Sequence, residues 1–308
     1  MVQGPVDHDL TPFCIETIRR YLPEAEVILS TWEGSDLRGL KVDHLVLNAD
    51  PGSVVCNIGA RPISYNVNRQ IVSSLNGIRT ATRPFVVKVR SDMEFTGSGF
   101  LELPSRFPIR TDRMKVFQDR IVTCTVPSQS VRRRGLVLSP SDWFQFGRRE
   151  DLLLLWDIPL DENAQTARYF ASHPRPSPDR LRHFIYRYLP EQYIFLQCLK
   201  KVAPVELEHL GESTRELRKL TELLFANNYI MADEQSLGVH FRKYRHNASS
   251  RCGYMTFSEW QWLYRCYCDP NRRPPTFIKY FGEHLRLYAQ LVWYRGTARL
   301  AGLWTSAD

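Results

Sequence analysis

Residues 85–95 read FVVKVRSDMEF and join an apolar strand to a run of charges. Alternate side chains of a β-strand point to the same face, so one face carries Lys88, Arg90, Asp92 and Glu94. The opposite face is apolar and carries Phe85, Val87, Val89, Met93 and Phe95. Two interpretations follow. The stretch is either an amphipathic strand with a solvated, salt-bridged face, or a strand whose end places two carboxylates around a metal ion.

The composition predicts a globular protein. The chain has 308 residues, of which 43% are hydrophobic and 24% charged, which is typical of a soluble fold with one large or two small domains. No apolar run approaches the roughly 20 residues of a membrane-spanning helix. The N-terminal MVQGPVDHDL lacks the basic and apolar regions of a signal peptide. These features predict a cytoplasmic protein with, at most, peripheral membrane contact.

The seven cysteines are scattered along the chain, which predicts reduced thiols. Three of them, Cys252, Cys266 and Cys268, lie near His246. Structural zinc sites usually contain two cysteines separated by about two to four residues. The C-x-C pair at Cys266 and Cys268 has no second pair and does not match this spacing. The spacing therefore argues against a structural zinc site.

Strand and helix signals alternate through the first 130 residues. Strands are predicted at 2–6, 25–30, 44–48 and 85–89, and helices at 10–22 and 66–78. Further strands are expected within 116–125 and 139–159, and helices within 181–201 and 211–228. This alternation predicts an α/β fold built on a mostly parallel sheet.

Polar clusters follow several of these strands. They are Gln3 to Pro5, Thr31 to Glu33, Asn48 to Gly52 and Arg90 to Glu94. Ligands of parallel sheets bind outside the carboxyl ends of the strands. If the strands are neighbours, the clusters line one crevice.

The spacing of Asp92 and Glu94 carries no information by itself, because the chain holds four acid-x-acid triplets and chance predicts roughly three or four. Only this pair ends an apolar strand within the α/β pattern. Carboxylates at such a place suit Mg²⁺ or Mn²⁺ together with phosphate oxygens. A metal there neutralises the charge that grows on a diphosphate leaving group.

The charge is concentrated near the C-terminus. Residues 241–300 contain eleven Lys and Arg against three acids, a net charge of +8 that equals the charge of the whole chain. Aromatic residues interleave with the basic ones, and such a face attracts phosphate, acidic glycan, nucleic acid or anionic lipid; its alternative is a solvated helical flank. We therefore divide the chain into a domain at 1–235 and a basic, helical extension at 236–308.

Six segments resemble those of the WavE family in the family's order. They are STWEGSD (30–36), LNADPG (47–52), NVNRQIVSSLNGI (66–78), VVKVRSDMEF (86–95), PSDWFQFGRREDL (140–152) and PEQY (190–193). The family is implicated in lipopolysaccharide synthesis, and its members are taken to be glycosyltransferases. The resemblance covers about residues 2–200 and implies a GT-A-like, Rossmann-type sheet that binds a nucleotide-sugar donor.

The resemblance also implies a donor site. It places Gln3, Gly4 and Pro5 at the base and ribose, Asn68 and Arg69 on a helix facing the donor, and Lys88, Arg90 and Asp92 at the diphosphate. Asp92 and Glu94 stand for the metal-binding DxD motif, with Glu in the second acidic position, and imply Mn²⁺ or Mg²⁺ as cofactor. The simpler alternative is that these arginines, the lysine and the acids pair with one another.

The resemblance implies an acceptor side at Asp142 and Trp143. Pro190, Glu191 and Gln192 stand where many GT-A enzymes carry an acidic pair that includes the catalytic base. Gln192 cannot accept a proton, so Glu191 is the first candidate for the base and Asp142 the second. Pro190 and Glu191 are equally at home at a helix N-terminus. For His240, a structural role is favoured over a role as metal ligand. For Trp32 and Trp143, packing in the core is favoured over a role as a platform for a sugar.

The leading hypothesis is a metal-dependent glycosyltransferase that moves a sugar from a nucleotide-sugar donor to lipopolysaccharide or another surface glycan. This hypothesis predicts a cytoplasmic protein that at most contacts the cytoplasmic membrane face peripherally, and it predicts no nucleic-acid partner. One alternative is a non-catalytic basic module that binds nucleic acid or an anionic membrane surface. A sugar nucleotidyltransferase is disfavoured, because no Gly-rich phosphate loop appears near the N-terminus.

Overall fold

The computed structural model describes residues 1–58, 61–173, 186–242, 253–273, 281–283 and 285–289. Eleven strands lie within these ranges. They are β1 (Val2–Gln3), β2 (Ile28–Trp32), β3 (His44–Asn48), β4 (Val54–Ile58), β5 (Arg61–Tyr65), β6 (Phe85–Arg90), β7 (Glu94–Phe95), β8 (Ile121–Cys124), β9 (Phe144–Arg148), β10 (Tyr229–Ala232) and β11 (Val239–His240).

Seven strands form one sheet in the order β10-β8-β9-β6-β1-β2-β3. Strand β9 runs antiparallel to both of its neighbours, β6 and β8, and the other pairs are parallel. Two further pairs, β4 with β5 and β7 with β11, are antiparallel and separate from this sheet. The predicted α/β fold with a mostly parallel sheet is confirmed.

Helices flank the sheet. They are α1 (Leu10–Tyr21), α2 (Val67–Thr80), α3 (Leu103–Arg106), α4 (Val131–Arg134), α5 (Arg149–Trp156), α6 (Asn163–Ser172), α7 (Pro190–Lys200), α8 (Arg215–Asn228), α9 (Glu234–Leu237) and α10 (Phe257–Tyr267). Helix α2 buries Val67, Ile71 and Ile78, which helical spacing places on one side, and packs against β1, β2 and β3. No described helix is both long and apolar enough to cross a membrane.

Within the predicted extension at 236–308, helix α10 packs against α8 and β10. Its Trp260, Leu263 and Tyr264 are buried, and the ring of Phe107 lies 4.8 Å from that of Trp260. The division at residue 235 stays a prediction. His246 and Cys252 of the cysteine cluster lie outside the described residues, and Cys266 and Cys268 are free thiols.

Candidate active site

A cavity of about 600 Å³ opens at the carboxyl ends of β1, β2 and β6. Its lining consists of Gln3, Gly4, Pro5, Val6, Asp7, Trp32, Asp50, Asn66, Arg69, Gln70, Arg90, Ser91 and Asp92. Six of the eight residues predicted to bind the donor are in this lining, and the other two, Asn68 and Lys88, are not. Polar strand ends are thus brought together at one edge of the sheet.

The floor of the cavity is the turn after β1. The hydroxyl of Ser73 donates to Gln3 Oε1 over 2.8 Å, which fixes the amide of Gln3 against helix α2. Gly4 has a φ of 116°, a conformation that L side chains rarely adopt. The hydroxyl of Ser91 donates to the carbonyl of Pro5 over 2.6 Å. These contacts tie the turn after β1 to the end of β6.

Arg69 forms one side of the cavity and is held by Asp50. Its Nε donates to Asp50 Oδ1 over 2.7 Å and a terminal nitrogen to Oδ2 over 2.5 Å. The guanidinium lowers the pKa of Asp50. This two-pronged pair leaves the guanidinium in a fixed orientation before any ligand arrives.

Arg90 forms the other side and is held in the same way by Asp92. Its Nε donates to Asp92 Oδ1 over 2.9 Å and a terminal nitrogen to Oδ2 over 2.7 Å. The guanidinium also lies 5.0 Å from the ring centre of Trp143, which contacts the ring of Phe241. Trp143, predicted on the acceptor side, therefore stacks on a residue of the cavity.

Glu94, the second predicted metal ligand, lies outside the cavity lining. Its carboxylate accepts a charged contact of 2.8 Å from Arg242. Strand β11 places His240 directly opposite Glu94, where directly opposed residues share one face of the sheet. The imidazole Nδ1 of His240 lies 3.0 Å from the carboxylate of Glu234.

The contacts of Asp92 and Glu94 show how well these residues suit a metal site. The described part of the chain holds no group of three or more His, Cys, Asp or Glu side chains that could hold a metal ion. Mg²⁺ needs only one or two carboxylates when phosphate oxygens and water supply the remaining ligands. Asp92 lines the cavity, so it fits a site in which one carboxylate and the phosphates of a nucleotide hold the ion together. A cation there would compete with Arg90 for the carboxylate of Asp92.

Lys88 lies beneath the cavity and is 0% exposed. Its ammonium donates to the backbone carbonyl of Asp142, and lies 3.9 Å from Oδ2 of the same residue and 4.5 Å from the ring centre of Trp156. Burial lowers the pKa of Lys88 to about 8. The structure thus places Lys88 against Asp142, and its assignment to the donor diphosphate stays a prediction.

Asp142, the second candidate base, contacts Lys88, and its charge acts on Glu191, the first candidate. Asp142 is 2% exposed, and its Oδ1 has no hydrogen-bond partner among the residues the structure describes. Glu191 lies in the first turn of α7 and is half-buried. Burial and the nearby charge of Asp142 raise the pKa of Glu191 to about 8, while Lys88 and Arg90 oppose this rise.

Gln192, the residue next to Glu191, serves the fold. Its Oε1 accepts from the backbone nitrogen of Leu189 over 3.1 Å, and its Nε2 donates to the carbonyl of Val137 over 2.8 Å. The side chain therefore ties the start of helix α7 to the segment before β9.

Asn68 uses both ends of its side chain within the protein. Its Nδ2 donates to the carbonyl of Asp161 over 2.9 Å, and its Oδ1 accepts from the backbone nitrogen of Asp161 over 2.7 Å. The carboxylate of Asp161 accepts from Tyr65 and Thr166. Asn68 thus anchors the loop before α6, and its predicted contact with the donor stays a prediction.

Asp50 was not assigned a role from the sequence, and for Trp32 core packing was favoured over a sugar platform. Trp32 is half-buried at the end of β2, and Asp50 follows β3 and orients Arg69. Both belong to polar clusters that follow strands, so their position at strand ends was the signal that points to them. The sequence does not say which member of each cluster faces the cavity.

The comparisons with known proteins give one family. The family model described as WavE lipopolysaccharide synthesis matches residues 1–292, a range that includes the cavity, the buried cluster around Lys88 and helix α10. No curated protein and no solved structure matches the chain. Because the match covers nearly the whole sequence, the chain belongs to the WavE lipopolysaccharide synthesis family.

Proposed function

We propose that the chain is a glycosyltransferase that moves a sugar from a nucleotide-sugar donor to a lipopolysaccharide or other surface glycan acceptor. One observation carries the proposal. A cavity with two oriented arginines at the carboxyl edge of a mostly parallel sheet lies next to the buried pair of Lys88 and Asp142. Membership in a lipopolysaccharide synthesis family supports this acceptor class.

The cavity suits a nucleoside diphosphate in size and chemistry. Its volume of about 600 Å³ falls in the range typical of small-molecule sites. The guanidinium groups of Arg69 and Arg90 match the oxygens of phosphates. The indole of Trp32 offers an aromatic surface to a base.

The proposed reaction joins the acceptor to the anomeric carbon of the donor sugar. The acceptor hydroxyl oxygen forms the new glycosidic bond while the bond from the anomeric carbon to the diphosphate oxygen breaks. The electron pair of the broken bond stays on the nucleoside diphosphate, whose charge the arginines stabilise. In an inverting reaction the hydroxyl proton passes to a carboxylate, that of Glu191 or of Asp142.

We also propose Mn²⁺ or Mg²⁺ as cofactor. Asp92, with Glu94 as the second carboxylate of the motif, would hold the ion. When bound, it supplies positive charge to the diphosphate. The proposed location is the cytoplasm, with peripheral membrane contact through the basic residues of 236–308.

Three of the five arginines that the structure describes in that extension contact other parts of the protein, and the other two, Arg273 and Arg286, are exposed. Arg242 pairs with Glu94, Arg265 donates to the carbonyl of Arg272, and Arg272 lies over the ring of Phe107. These side chains are engaged with the protein itself. We therefore propose no second function.

A thermal-shift panel tests the proposal. The protein is heated with nucleoside diphosphates and nucleotide sugars of each base, with and without Mn²⁺. A ligand at 100 times its Kd stabilises by about 2.7 kcal/mol, which raises Tm by roughly 5 °C. We expect this rise for one base. No stabilisation by any nucleotide would overturn the proposed function.

Two variants sharpen the panel. Asp92→Ala should abolish the Mn²⁺-dependent part of the stabilisation. Asp36→Asn is the matched control, because Asp36 forms an exposed pair with Arg38 outside the cavity, and it should leave the nucleotide response unchanged. An Asp92→Ala variant that responds to Mn²⁺ and nucleotide as the wild type does would remove the metal from the proposal.

A further inference from the structure

A helix near the end of the described chain exposes large apolar side chains. Residues 281–283 and 285–289 are helical. Phe281 is 53% exposed, Leu285 58% and Tyr288 66%, which places all three among the four most exposed large hydrophobic side chains that the structure describes. Single exposed apolar residues are ordinary on a protein surface, but a group of them indicates a contact with another molecule or a membrane.

The three side chains share one side of this helix. At about 100° of rotation per residue, positions 281, 285 and 288 fall within an arc of about 60°. Glu283 and Leu287 lie on the opposite side and are half-buried. The helix thus turns an apolar stripe, formed by Phe281, Leu285 and Tyr288, toward solvent, which reverses the usual arrangement of a surface helix.

The stripe lies in a strongly basic part of the chain. Residues 271–300 contain six Lys and Arg against a single acid, Glu283. Arg286 directly follows Leu285 in the helix and is exposed. The surface of the helix therefore combines apolar side chains with a positive charge beside them. A partner that matches both features must offer negative charge and an apolar layer beneath it.

An anionic phospholipid bilayer offers both features, since its phosphate headgroups lie directly above acyl chains. A second copy of the chain would bring the same stripe but also the same positive charge, and like charges at a contact repel. A nucleic acid would attract Arg286 through its phosphates and leave the stripe exposed to water. The combination of stripe and charge thus favours a bilayer as the partner.

We propose that Phe281, Leu285 and Tyr288 insert into the surface of an anionic bilayer while Arg286 stays at the level of the headgroups. Membrane contact is thereby assigned to one apolar helix face in addition to the basic charge of the segment. The helix lies in the plane of the surface and does not cross it. The purpose of this contact rests on the proposed function, since lipopolysaccharide is itself anchored in a membrane.

Sedimentation with lipid vesicles tests the contact directly. The full chain is mixed either with phosphatidylcholine vesicles or with vesicles of equal parts phosphatidylcholine and phosphatidylglycerol. We expect the protein to sediment with the mixed vesicles and to bind the neutral ones far more weakly, because the positive charge of the segment is attracted only by the anionic lipid. A protein that stays in solution with both kinds of vesicle would overturn the proposal.

Leu285→Ser combined with Tyr288→Ser separates insertion from attraction by charge. Affinity for the mixed vesicles should fall by at least about tenfold, because two apolar side chains no longer leave water on binding. The matched control is Leu101→Ser combined with Leu160→Ser, since these leucines are 49% and 50% exposed outside the helix. The control should bind as the wild type does. Equal affinity in the two double variants would overturn insertion of the stripe.

Leu285→Trp tests the same face by a gain of binding, which damage to the helix does not produce. The amphipathic ring of tryptophan prefers the level of the headgroups, so the affinity for mixed vesicles should rise severalfold. Arg286→Gln should lower this affinity by about fivefold, the effect of one basic residue near an anionic surface. Unchanged or weaker binding by Leu285→Trp would contradict the proposal.

Sedimentation velocity without lipid examines the alternative of a second copy. A wild-type dimer that is dissociated by Leu285→Ser and Tyr288→Ser, together with no binding to vesicles, would replace the bilayer by a second copy of the chain. None of these measurements uses a nucleotide. Vesicle binding without any nucleotide stabilisation would therefore keep the membrane contact and remove the transferase, and the reverse result would remove the membrane contact alone.

Discussion

Arg69 and Arg79 lie on the same helix, α2, but at different sites. Arg69 lines the cavity and is oriented by Asp50. Arg79 lies in the last turn and forms an exposed pair with Asp157. Both arginines lie on one helix and each pairs with an aspartate, but only Arg69 lines the cavity. They form a matched pair for mutation.

Arg69→Gln should weaken the binding of the nucleoside diphosphate found in the thermal-shift panel. The loss of charged hydrogen bonds of about 1.5–3 kcal/mol corresponds to a Kd increased by roughly 10- to 100-fold. Titration calorimetry measures this change, and the nucleoside without phosphate should lose little affinity. Arg79→Gln should bind as the wild type does. Equal diphosphate affinity in the two variants would mean that Arg69 serves only Asp50.

Asn68→Ala should lower the stability of the folded protein. The change removes both hydrogen bonds to the backbone of Asp161 and leaves buried polar groups without partners. We expect a loss of about 2–3 kcal/mol in the free energy of unfolding, measured by urea denaturation. Nucleotide affinity of the folded variant should stay near that of the wild type. A large loss of affinity with unchanged stability would instead support the predicted contact with the donor.

At the scale of elements, the small sheet of β7 and β11 matters most for the site. It brings His240 opposite Glu94, two residues after Asp92. The turn between helix α9 and strand β11 depends on Gly238, which has a φ of 77°. A Cβ atom at this position would lie 2.6 Å from the backbone carbon of Gly97, so both conformation and space require glycine.

Gly238→Ala should therefore separate β7 from β11. We expect a loss of more than about 2 kcal/mol, and faster hydrogen exchange of the amides at 94–97 and 239–240. Gly34→Ala is the control, because Gly34 has the same φ of 77° but no atom within 4 Å of the added Cβ. Gly34→Ala should cost only about 1 kcal/mol. Equal effects in the two variants would exclude the contact with Gly97 as the cause.

At the scale of the whole molecule, helix α10 joins the end of the chain to the sheet domain. Trp260 is buried, and its indole nitrogen donates to the carbonyl of Phe225 in helix α8 over 3.1 Å. The ring of Phe107 packs on it from the segment that follows α3. These contacts place a residue from beyond position 235 inside the main core.

Trp260→Ala should thus destabilise the protein as one unit. Removal of a large buried aromatic side chain costs about 3–5 kcal/mol. Urea unfolding is followed by far-ultraviolet circular dichroism and by a dye attached to Cys266, the exposed cysteine of helix α10. We expect coincident transitions, both shifted to lower urea. Two separate transitions, with only the dye signal shifted, would support the division of the chain at residue 235.

Local sequence was sufficient for much of the fold. The apolar stripe of helix α2, strand β6 and the polar ends of β1, β2 and β6 were all predicted, because periodicity and strand-end polarity are properties of neighbouring residues. The hairpin of β4 and β5 and helix α6 were not predicted. The direction of β9 was not specified either, since an alternating strand pattern reads the same in both directions.

The candidate site, like the fold, was predicted only in part from the sequence. The sequence by itself pointed to the arginines and acids at strand ends that line the cavity, because charge after an apolar strand is visible in a single stretch. Only the tertiary structure decided that Lys88 is buried against Asp142 and Trp156. These contacts join residues far apart in the chain, so they depend on strand order and helix packing, which local patterns do not encode.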